Sequence, residues 1–478
     1  MRLNSCGAMC GKLGDAAAAR PITYGLPSPS YDRAFLIMTT LFDELTWRRL
    51  IQDYTPDLPQ QMAERRDLTV YAGFDPTASS LHVGNLLPLM TLARFQRAGY
   101  RPLALAGGGT GLIGDPSGKS AERPLLDADT IAANVAAIER LLSQFLDFTG
   151  ANAARVVNNA DWLGDLPLLT FLRETGKHFS VNMMLGKESV RRRLETGISY
   201  TEFSYMLLQA RDYLELYDRY DCTLQIGGSD QWGNITAGIE LIRRMRGRVA
   251  HGLTIPLITK ADGAKFGKTE QGAVWLTADR TSPYEFYQFW FNTEDASVIG
   301  YLKAFTFLSA EEIAELESAV LTQPEARAAQ RALAAAVTTF VHGDAGLRTA
   351  LAATNILFGG SPIADIDADT LLAVFHDAPS TEISAAMFAA SGALVIDLAV
   401  AAKLAGSKGE ARRLIEGGGL YFNNRRVESA HARVTREQLI GGQYGVLRKG
   451  ARAYHLIRLT DTPASAPARS EQPARSEP

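Results

Sequence analysis

The sequence predicts an α/β protein: a parallel, doubly wound sheet, then an all-helical stretch, then a small basic α/β module. Three observations carry this. Short apolar strands alternate with helices through the first half of the chain. From about Ser282 the apolar spacing is helical only. Between residues 400 and 460, twelve basic residues outnumber four acidic ones, an excess of +8 in a chain of net charge −3. The length of 478 residues leaves room for about three domains.

Residues 1–37 are rich in Gly, Ala, Pro and Ser, have no periodicity, and lack the apolar run of a secretory signal. They read as a disordered extension; either Met38 is the true start or the extension is dispensable. Leu41 to Trp47 form the first amphipathic helix. Residues 68–74 read as a strand, 84–99 as a helix with Leu86, Leu89, Met90, Ala93 and Phe95 on its apolar positions, and 101–106 as a second strand. This βαβ unit is expected to be right-handed. Further strands are expected at 155–157, 223–226 and 254–258, closing a domain over 38–281 whose ligands sit at the carboxyl ends of its strands. A helical domain follows over 282–358. Within it Ser309 and Glu312 form a capping box, and residues 325–340 are Ala-rich. Gly359-Gly360-Ser361-Pro362 breaks the pattern, so 359–392 is expected to be a linker and 393–460 a separate module. Residues 461–478 hold an imperfect repeat, Pro467-Ala468-Arg469-Ser470-Glu471 and Pro473-Ala474-Arg475-Ser476-Glu477, and are expected to be disordered.

Composition excludes several classes. Hydrophobic residues make up 46% and charged residues 21%, ordinary for a globular protein. No apolar run approaches the ~18 residues of a transmembrane helix. Three cysteines, Cys6, Cys10 and Cys222, cannot build a disulfide scaffold and fit a reducing cytoplasm. Cys6 and Cys10 lack the nearby Cys or His that would complete a metal site, so no bound metal is expected. The basic excess near the C-terminus fits a polyanion partner better than a merely solvated surface.

Two stretches point to nucleotide chemistry. Thr77, His82, Gly84 and Asn85 lie at a strand-to-helix turn, where free backbone N–H groups can hold phosphate. Lys265 and Lys268, with Thr269, flank a glycine on a loop suited to a leaving pyrophosphate. Gly118-Lys119-Ser120 imitates a P-loop, but the glycine required five places earlier is Ile113, so that reading fails. The same loop still supplies Asp115, Lys119 and Arg123. On the helix beginning near Thr201, Tyr205, Gln209 and Asp212 stand at i, i+4 and i+7, on one face. Alone, that face reads as solvated; Tyr71 and Asp115, near the ends of parallel strands, make convergence at one crevice the stronger reading. Gly228 and Asp230 follow another strand and suit a ribose.

With these residues the chain resembles bacterial tyrosyl-tRNA synthetases from about Leu41 to Ile457. The resemblance rests on Tyr71-Ala72-Gly73-Phe74-Asp75-Pro76-Thr77, Gly111-Leu112-Ile113-Gly114-Asp115-Pro116-Ser117, Thr201-Glu202-Phe203-Ser204-Tyr205, Gln225 through Asn234, and Lys265-Phe266-Gly267-Lys268-Thr269. Residues 82–85 and 265–269 are similar to the HIGH and KMSKS signatures of class I synthetases. Residues 407–415 are similar to an α-L RNA-binding module. The resemblance implies a Rossmann-type catalytic domain, an α-helical tRNA-binding domain and a C-terminal α-L RNA-binding module. It implies ATP-dependent activation of tyrosine with Mg²⁺, transfer to tRNA(Tyr), and a cytoplasmic homodimer. By the same resemblance Thr77, His82, Lys265, Lys268 and Thr269 would stabilise pyrophosphate, with Lys119 and Arg123 assisting. Asp115, Tyr205, Gln209 and Gln231 would hold the substrate at its ammonium end, and Tyr71 and Asp212 would meet its phenol hydroxyl. Asp75, Gly84, Asn85, Gly228, Asp230 and Lys268 would meet ATP, and Lys408, Arg412 and Arg413 would contact RNA. Asn85 stands where the signature often has a second histidine, and its amide can still donate to a ribose oxygen. A tryptophan-specific enzyme, or an RNA-binding protein without activation chemistry, are the rival readings. The first leaves the Tyr71 and Asp212 pair without purpose, the second the two lysines, His82 and Asp230.

Overall fold

The structure, a computed structural model, describes residues 40–118, 125–194, 197–258, 266–269, 272–358, 363, 366, 368–375, 378–388, 391–450 and 453–460. The expected disordered ends, 1–37 and 461–478, and the break at 359–362 lie outside these residues. The first domain comprises β1 (Asp53–Tyr54), β2 (Thr69–Phe74), β3 (Arg101–Ala106), β4 (Arg155–Asn158), β5 (Cys222–Gly228) and β6 (His251–Ile255). They form one sheet in the order β1-β6-β5-β2-β3-β4. All neighbours are parallel except the edge pair β1–β6. The chain runs outward from β2 through β3 to β4, then returns to β5 on the other side of β2. That reversal opens a crevice beyond the carboxyl ends of β2 and β5. The last strand begins and ends earlier than its apolar run suggests, because Pro256 has no N–H to continue the ladder.

The helices of this domain are α1 (Leu41–Trp47), α2 (Leu58–Glu64), α3 (Val83–Arg97), α4 (Ala128–Leu142), α5 (Ala160–Leu163), α6 (Leu168–Thr170), α7 (Val181–Leu185), α8 (Glu188–Leu194), α9 (Tyr200–Tyr220) and α10 (Trp232–Arg246). Alternation along β2 assigns its side chains to opposite faces. Val70, Ala72 and Phe74 join the core shared with α1, α2 and α3. Tyr71 joins the core shared with α9 and α10, among Met206, Leu207 and Tyr213. The sheet is therefore covered on both faces. Helix α3 starts at Val83, so Pro88 stands in its second turn and cannot bond the Gly84 carbonyl.

A two-strand hairpin, β7 (Lys268–Thr269) with β8 (Gly272–Ala273), leads to the helical part. This contains α11 (Pro283–Phe291), α12 (Asp295–Phe305), α13 (Ala310–Thr322) and α14 (Ala328–Phe358). Ser309 and Glu312 form the expected capping box. Helix α14 is broken at Gly343, whose φ of 68° and ψ of 179° are not helical.

The segment expected to be a linker, 359–392, contains α15 (Ala368–Val374) and β9 (Ser380–Ser384). The correction has a physical cause: Leu371, Phe375 and Ile363 are buried, and β9 pairs parallel with a later strand as the edge of a sheet. The rest of that part holds β10 (Ala393–Leu394), α16 (Val395–Ala401), α17 (Lys408–Glu416), β11 (Leu420–Phe422), β12 (Arg425–Arg426), β13 (Arg433–Val434), β14 (Tyr444–Lys449) and β15 (Ala453–Thr460). Its main sheet runs β12-β11-β14-β15-β9.

Candidate active site

The crevice has a buried end and an exposed end. At the buried end, Tyr71 is 1% exposed and its ring meets Tyr213 edge-on at 5.2 Å. Its hydroxyl has no hydrogen-bond partner among the described residues. Burial, with the charge of Asp212 added, holds its pKa well above the ordinary phenol value. Asp212 on α9 is itself buried, and both carboxylate oxygens accept: Oδ2 from Asn159 Nδ2 at 2.9 Å and Oδ1 from Trp162 Nε1 at 2.7 Å. Burial pushes this carboxyl up to about 7, against the pull of those two donors. An orphaned hydroxyl beside a fixed carboxylate is a site for a ligand group that both donates and accepts, as a phenol does.

A polar band lies next along α9. Tyr205 donates its hydroxyl to Asp75 Oδ2 at 2.9 Å, and Thr110 donates to the other oxygen at 2.8 Å. Asp115 accepts from the Ser117 N–H at 2.9 Å and from Gln231 Nε2 at 2.7 Å. Gln231 in turn accepts from Gln209 at 3.3 Å, and Asn234 donates to Gln209 at 3.0 Å. So Tyr205 and Thr110 hold Asp75, while Ser117, Gln231, Gln209 and Asn234 form a separate group around Asp115, which puts two carboxylates at this part of the crevice. Asp230 lies at the mouth of β5, where a side chain at Gly228 would put its Cβ 2.6 Å from Asp230 Oδ1.

At the exposed end, His82 caps α3. Its Nδ1 accepts from the Gly84 N–H at 3.0 Å, and its own N–H donates to Asn85 Oδ1 at 3.2 Å. The accepting Nδ1 places the ring proton on Nε2 in the neutral imidazole. Asn85 thus completes a capping box with its carbonyl oxygen, a role the sequence reading did not foresee. Thr77 and Gly84 are exposed nearby. The second signature is stitched to this helix start. Val83 N–H donates to the Val274 carbonyl at 2.9 Å, and Val274 N–H donates to Gly267 at 3.1 Å. Gly267 has φ of 84°, and a Cβ there would lie 2.5 Å from Val83 Cγ2, so only glycine fits. Phe266 stacks on Phe305 at 5.3 Å and meets Tyr301 at 5.0 Å, fastening the loop to α12.

The comparisons agree with this geometry. Residues 62–359 match the family of class I tRNA synthetases (W and Y), and residues 371–457 match the tyrosine–tRNA ligase SYY-like C-terminal domain. The tyrosine–tRNA ligase of Roseiflexus castenholzii is 58% identical over 425 residues, covering 88% of this chain and 100% of the relative. That of Geobacillus stearothermophilus is 52% identical over 424 residues, covering 87% of this chain and 99% of the relative. The chain belongs to the tyrosine–tRNA ligase family. A solved C-terminally truncated mitochondrial tyrosyl-tRNA synthetase of Aspergillus nidulans superposes with a TM-score of 0.59 at 32% identity, covering 65% of this chain and 92% of that one.

In this tyrosine–tRNA ligase family member several expected residues lie outside the description. Lys119, Arg123 and Lys265 are not among the described residues; Lys268 and Thr269 are described only as backbone, in β7. In the C-terminal part, Arg412 and Arg413 are exposed on α17, while Lys408 forms a 2.7 Å ion pair with Asp397. Sequence reasoning missed Asn159, Trp162 and Asn234, which hold Asp212, Gln209 and Gln231 in place. The signal was present: Asn159 and Trp162 directly follow the carboxyl end of β4, where ligand-facing groups gather.

Proposed function

We infer that this chain is a tyrosine–tRNA ligase. It joins the carboxylate of L-tyrosine to the α-phosphorus of ATP, releasing pyrophosphate, then passes the tyrosyl group to the terminal ribose of tRNA(Tyr), releasing AMP. The observation that carries the amino-acid assignment is the buried Tyr71 hydroxyl without a partner beside Asp212. A substrate phenol would accept from Tyr71 and donate to Asp212. Phenylalanine would leave the Tyr71 hydroxyl unpaired and give the buried Asp212 carboxylate no donor beyond Asn159 and Trp162; an unpaired buried polar group costs about 1–3 kcal/mol.

The remaining roles follow from charge and reach. Asp115, Tyr205, Gln209 and Gln231 take the substrate at its ammonium, which the Asp115 carboxylate favours. That leaves the carboxylate pointing along the crevice toward α3. Thr77, His82, Gly84 and Asn85 form the phosphate end, where the His82 Nε2 proton and the helix N-terminus favour developing negative charge. Lys265, Lys268 and Thr269 neutralise the departing pyrophosphate, with Lys119 and Arg123. Asp75, Gly228 and Asp230 meet the nucleotide. The attacking group belongs to the substrate, so positioning and electrostatics supply the catalysis. Mg²⁺ would arrive with the ATP phosphates, whose oxygens suit a hard cation that keeps several waters.

We assign 38–281 to the catalytic domain, 282–358 to a helical tRNA-binding domain and 393–460 to an RNA-binding module in which Lys408, Arg412 and Arg413 contact RNA. Segment 359–392 belongs with that module. A homodimer is supported by Leu168 and Leu169, which are 69% and 79% exposed, with Leu172 and Val181 exposed close by in sequence. Among the described residues no helix is long and apolar enough to cross a membrane, and a reducing cytoplasm suits the buried free thiol of Cys222. Amino-acid-dependent pyrophosphate exchange tests the assignment. Exchange with tyrosine, and not with phenylalanine or tryptophan, is expected; preference for either other amino acid overturns it.

A further inference from the structure

The C-terminal sheet is buried on both faces, and the two faces have different partners. Leu447 and Ile457 pack with α16 and α17. The next residues back along the same strands, Val446 and Leu456, pack with Ile356 at the end of α14 and with Leu371 and Phe375 of the α15 segment. The other half of α14 belongs to the catalytic side. Leu333, Ala334 and Val337 share a core with α3, and Phe340 meets Phe145 at 5.2 Å. The two arms of α14, joined at the break at Gly343, therefore reach from the catalytic core to the basic module.

Its far end is closed by two side chains of that module. The last carbonyls of a helix have no partners of their own and carry partial negative charge. Asn424 Nδ2 donates to the Ile356 carbonyl at 2.7 Å. The Tyr454 hydroxyl lies 3.3 Å from the carbonyls of both Ile356 and Leu357. Asn424 is held for this task. It sits with Asn423 in the two-residue turn between β11 and β12, both with positive φ, 46° and 60°. That is the turn where Asn and Gly are favoured. Its Oδ1 accepts from Arg448 Nε at 3.0 Å, and the Arg448 guanidinium lies over the Tyr421 ring at 3.7 Å. A chain of contacts thus runs from a basic side chain of the module, through Asn424, to the helix end.

We propose that Asn424 and Tyr454 are positioning residues for the transfer step: they latch the basic module onto the end of α14 and so set where bound tRNA presents its acceptor end to the crevice. The proposal rests on the reading of that module as RNA-binding. Activation of tyrosine needs no tRNA, so the latch matters for charging and not for pyrophosphate exchange. Loosening it lowers the effective concentration of the acceptor end at the active site without removing any contact to substrate.

Three full-length variants test this. Asn424→Asp keeps the turn and the acceptor for Arg448 but turns a carboxylate oxygen toward the Ile356 carbonyl. Asn424→Gly keeps the turn and removes the latch. Tyr454→Phe removes one hydroxyl. The KM for tRNA in charging is expected to rise about tenfold in the first and about fivefold in the others, as loss of a hydrogen bond of ordinary strength would give. Tyrosine-dependent exchange should stay within about twofold of the unmodified protein. Unchanged charging in Asn424→Asp and Tyr454→Phe overturns the proposal, as does exchange that falls in parallel with charging. Should Asn424→Asp not fold, Tyr454→Phe decides alone. The double variant Arg412→Ala, Arg413→Ala separates the two ideas. If it leaves the KM for tRNA unchanged, the RNA-binding reading falls and the latch with it. If it raises that KM while the latch variants do not, only the latch falls.

Discussion

The two ends of the crevice are built on opposite plans. Around Tyr71 and Asp212 the site is buried, and Asn159 and Trp162 hold the carboxylate while Tyr213 packs edge-on against the Tyr71 ring before any ligand arrives. Around His82 and Asn85 the site is open, and the side chains cap the helix and each other. The difference teaches where each kind of selectivity resides. A buried end can reject a substrate lacking one hydroxyl, because unpaired polar groups cost most where water cannot replace the bond. An open helix start offers N–H groups and a positive dipole end to any anion, and so discriminates by charge more than by fit.

Breaking the buried end should cost most. Asp212→Ala removes the acceptor of the phenol and takes the acceptor from the Trp162 indole N–H and one bond from Asn159; kcat/KM for tyrosine in the exchange assay is expected to fall about 10²- to 10³-fold. Tyr71→Phe should lower the preference for tyrosine over phenylalanine about tenfold to fiftyfold, measured as a ratio of kcat/KM values. The same change removes an unpaired buried hydroxyl, so the free protein should melt at a higher temperature. An unchanged melting point together with lost preference would sharpen the comparison differently, by showing that water serves the hydroxyl in the free protein.

Acid should act on the buried end as well. With the Asp212 pKa pushed up to about 7, tyrosine affinity is expected to strengthen about tenfold from pH 6 to pH 8, as the carboxylate forms. Isothermal titration of tyrosine across that range checks it, and Asp212→Asn should flatten the profile. The stability effect has the opposite sense. The folded state holds this proton more tightly than the unfolded chain, so the contribution favours folding at low pH and is lost as pH rises from about 4 to about 7. The smallest effect is expected at the open end. Asn85→Ala deletes half of a capping box and should cost about 1 kcal/mol in denaturant melts, with exchange reduced less than about fivefold.

Much of this was legible in the chain. The alternation of strands and helices announced the parallel sheet, and the i, i+4, i+7 spacing announced that Tyr205, Gln209 and Asp212 share one face of a helix; alone that face read as solvated, and Tyr71 and Asp115 near strand ends were what pointed it at a crevice. Three things were hidden. Asn159 and Trp162 follow the carboxyl end of β4, which marks them as crevice residues, but they are about fifty positions from Asp212, and their pairing with it is fixed only when β4 and α9 pack. Asn85 looked like a substitute ligand, whereas its use as a cap depends on the angle at which the chain enters α3. The segment 359–392 looked like a linker because its start is Gly- and Pro-rich and its strand is short; the parallel pairing of β9 with β15 joins residues some seventy positions apart.

The sequence by itself determined the chemistry. The order and spacing of the small residues, His82 and the two lysines of 265–269 point to nucleotide activation, because groups of that kind can act through local backbone geometry and charge. Tertiary structure alone decided the environment of each group. Whether Asp212 is dry, whether Tyr71 lacks a partner, and whether the last carbonyls of α14 meet Asn424 depend on contacts between distant segments. Dielectric and hydrogen-bond satisfaction are properties of those contacts, and no single stretch of sequence carries them.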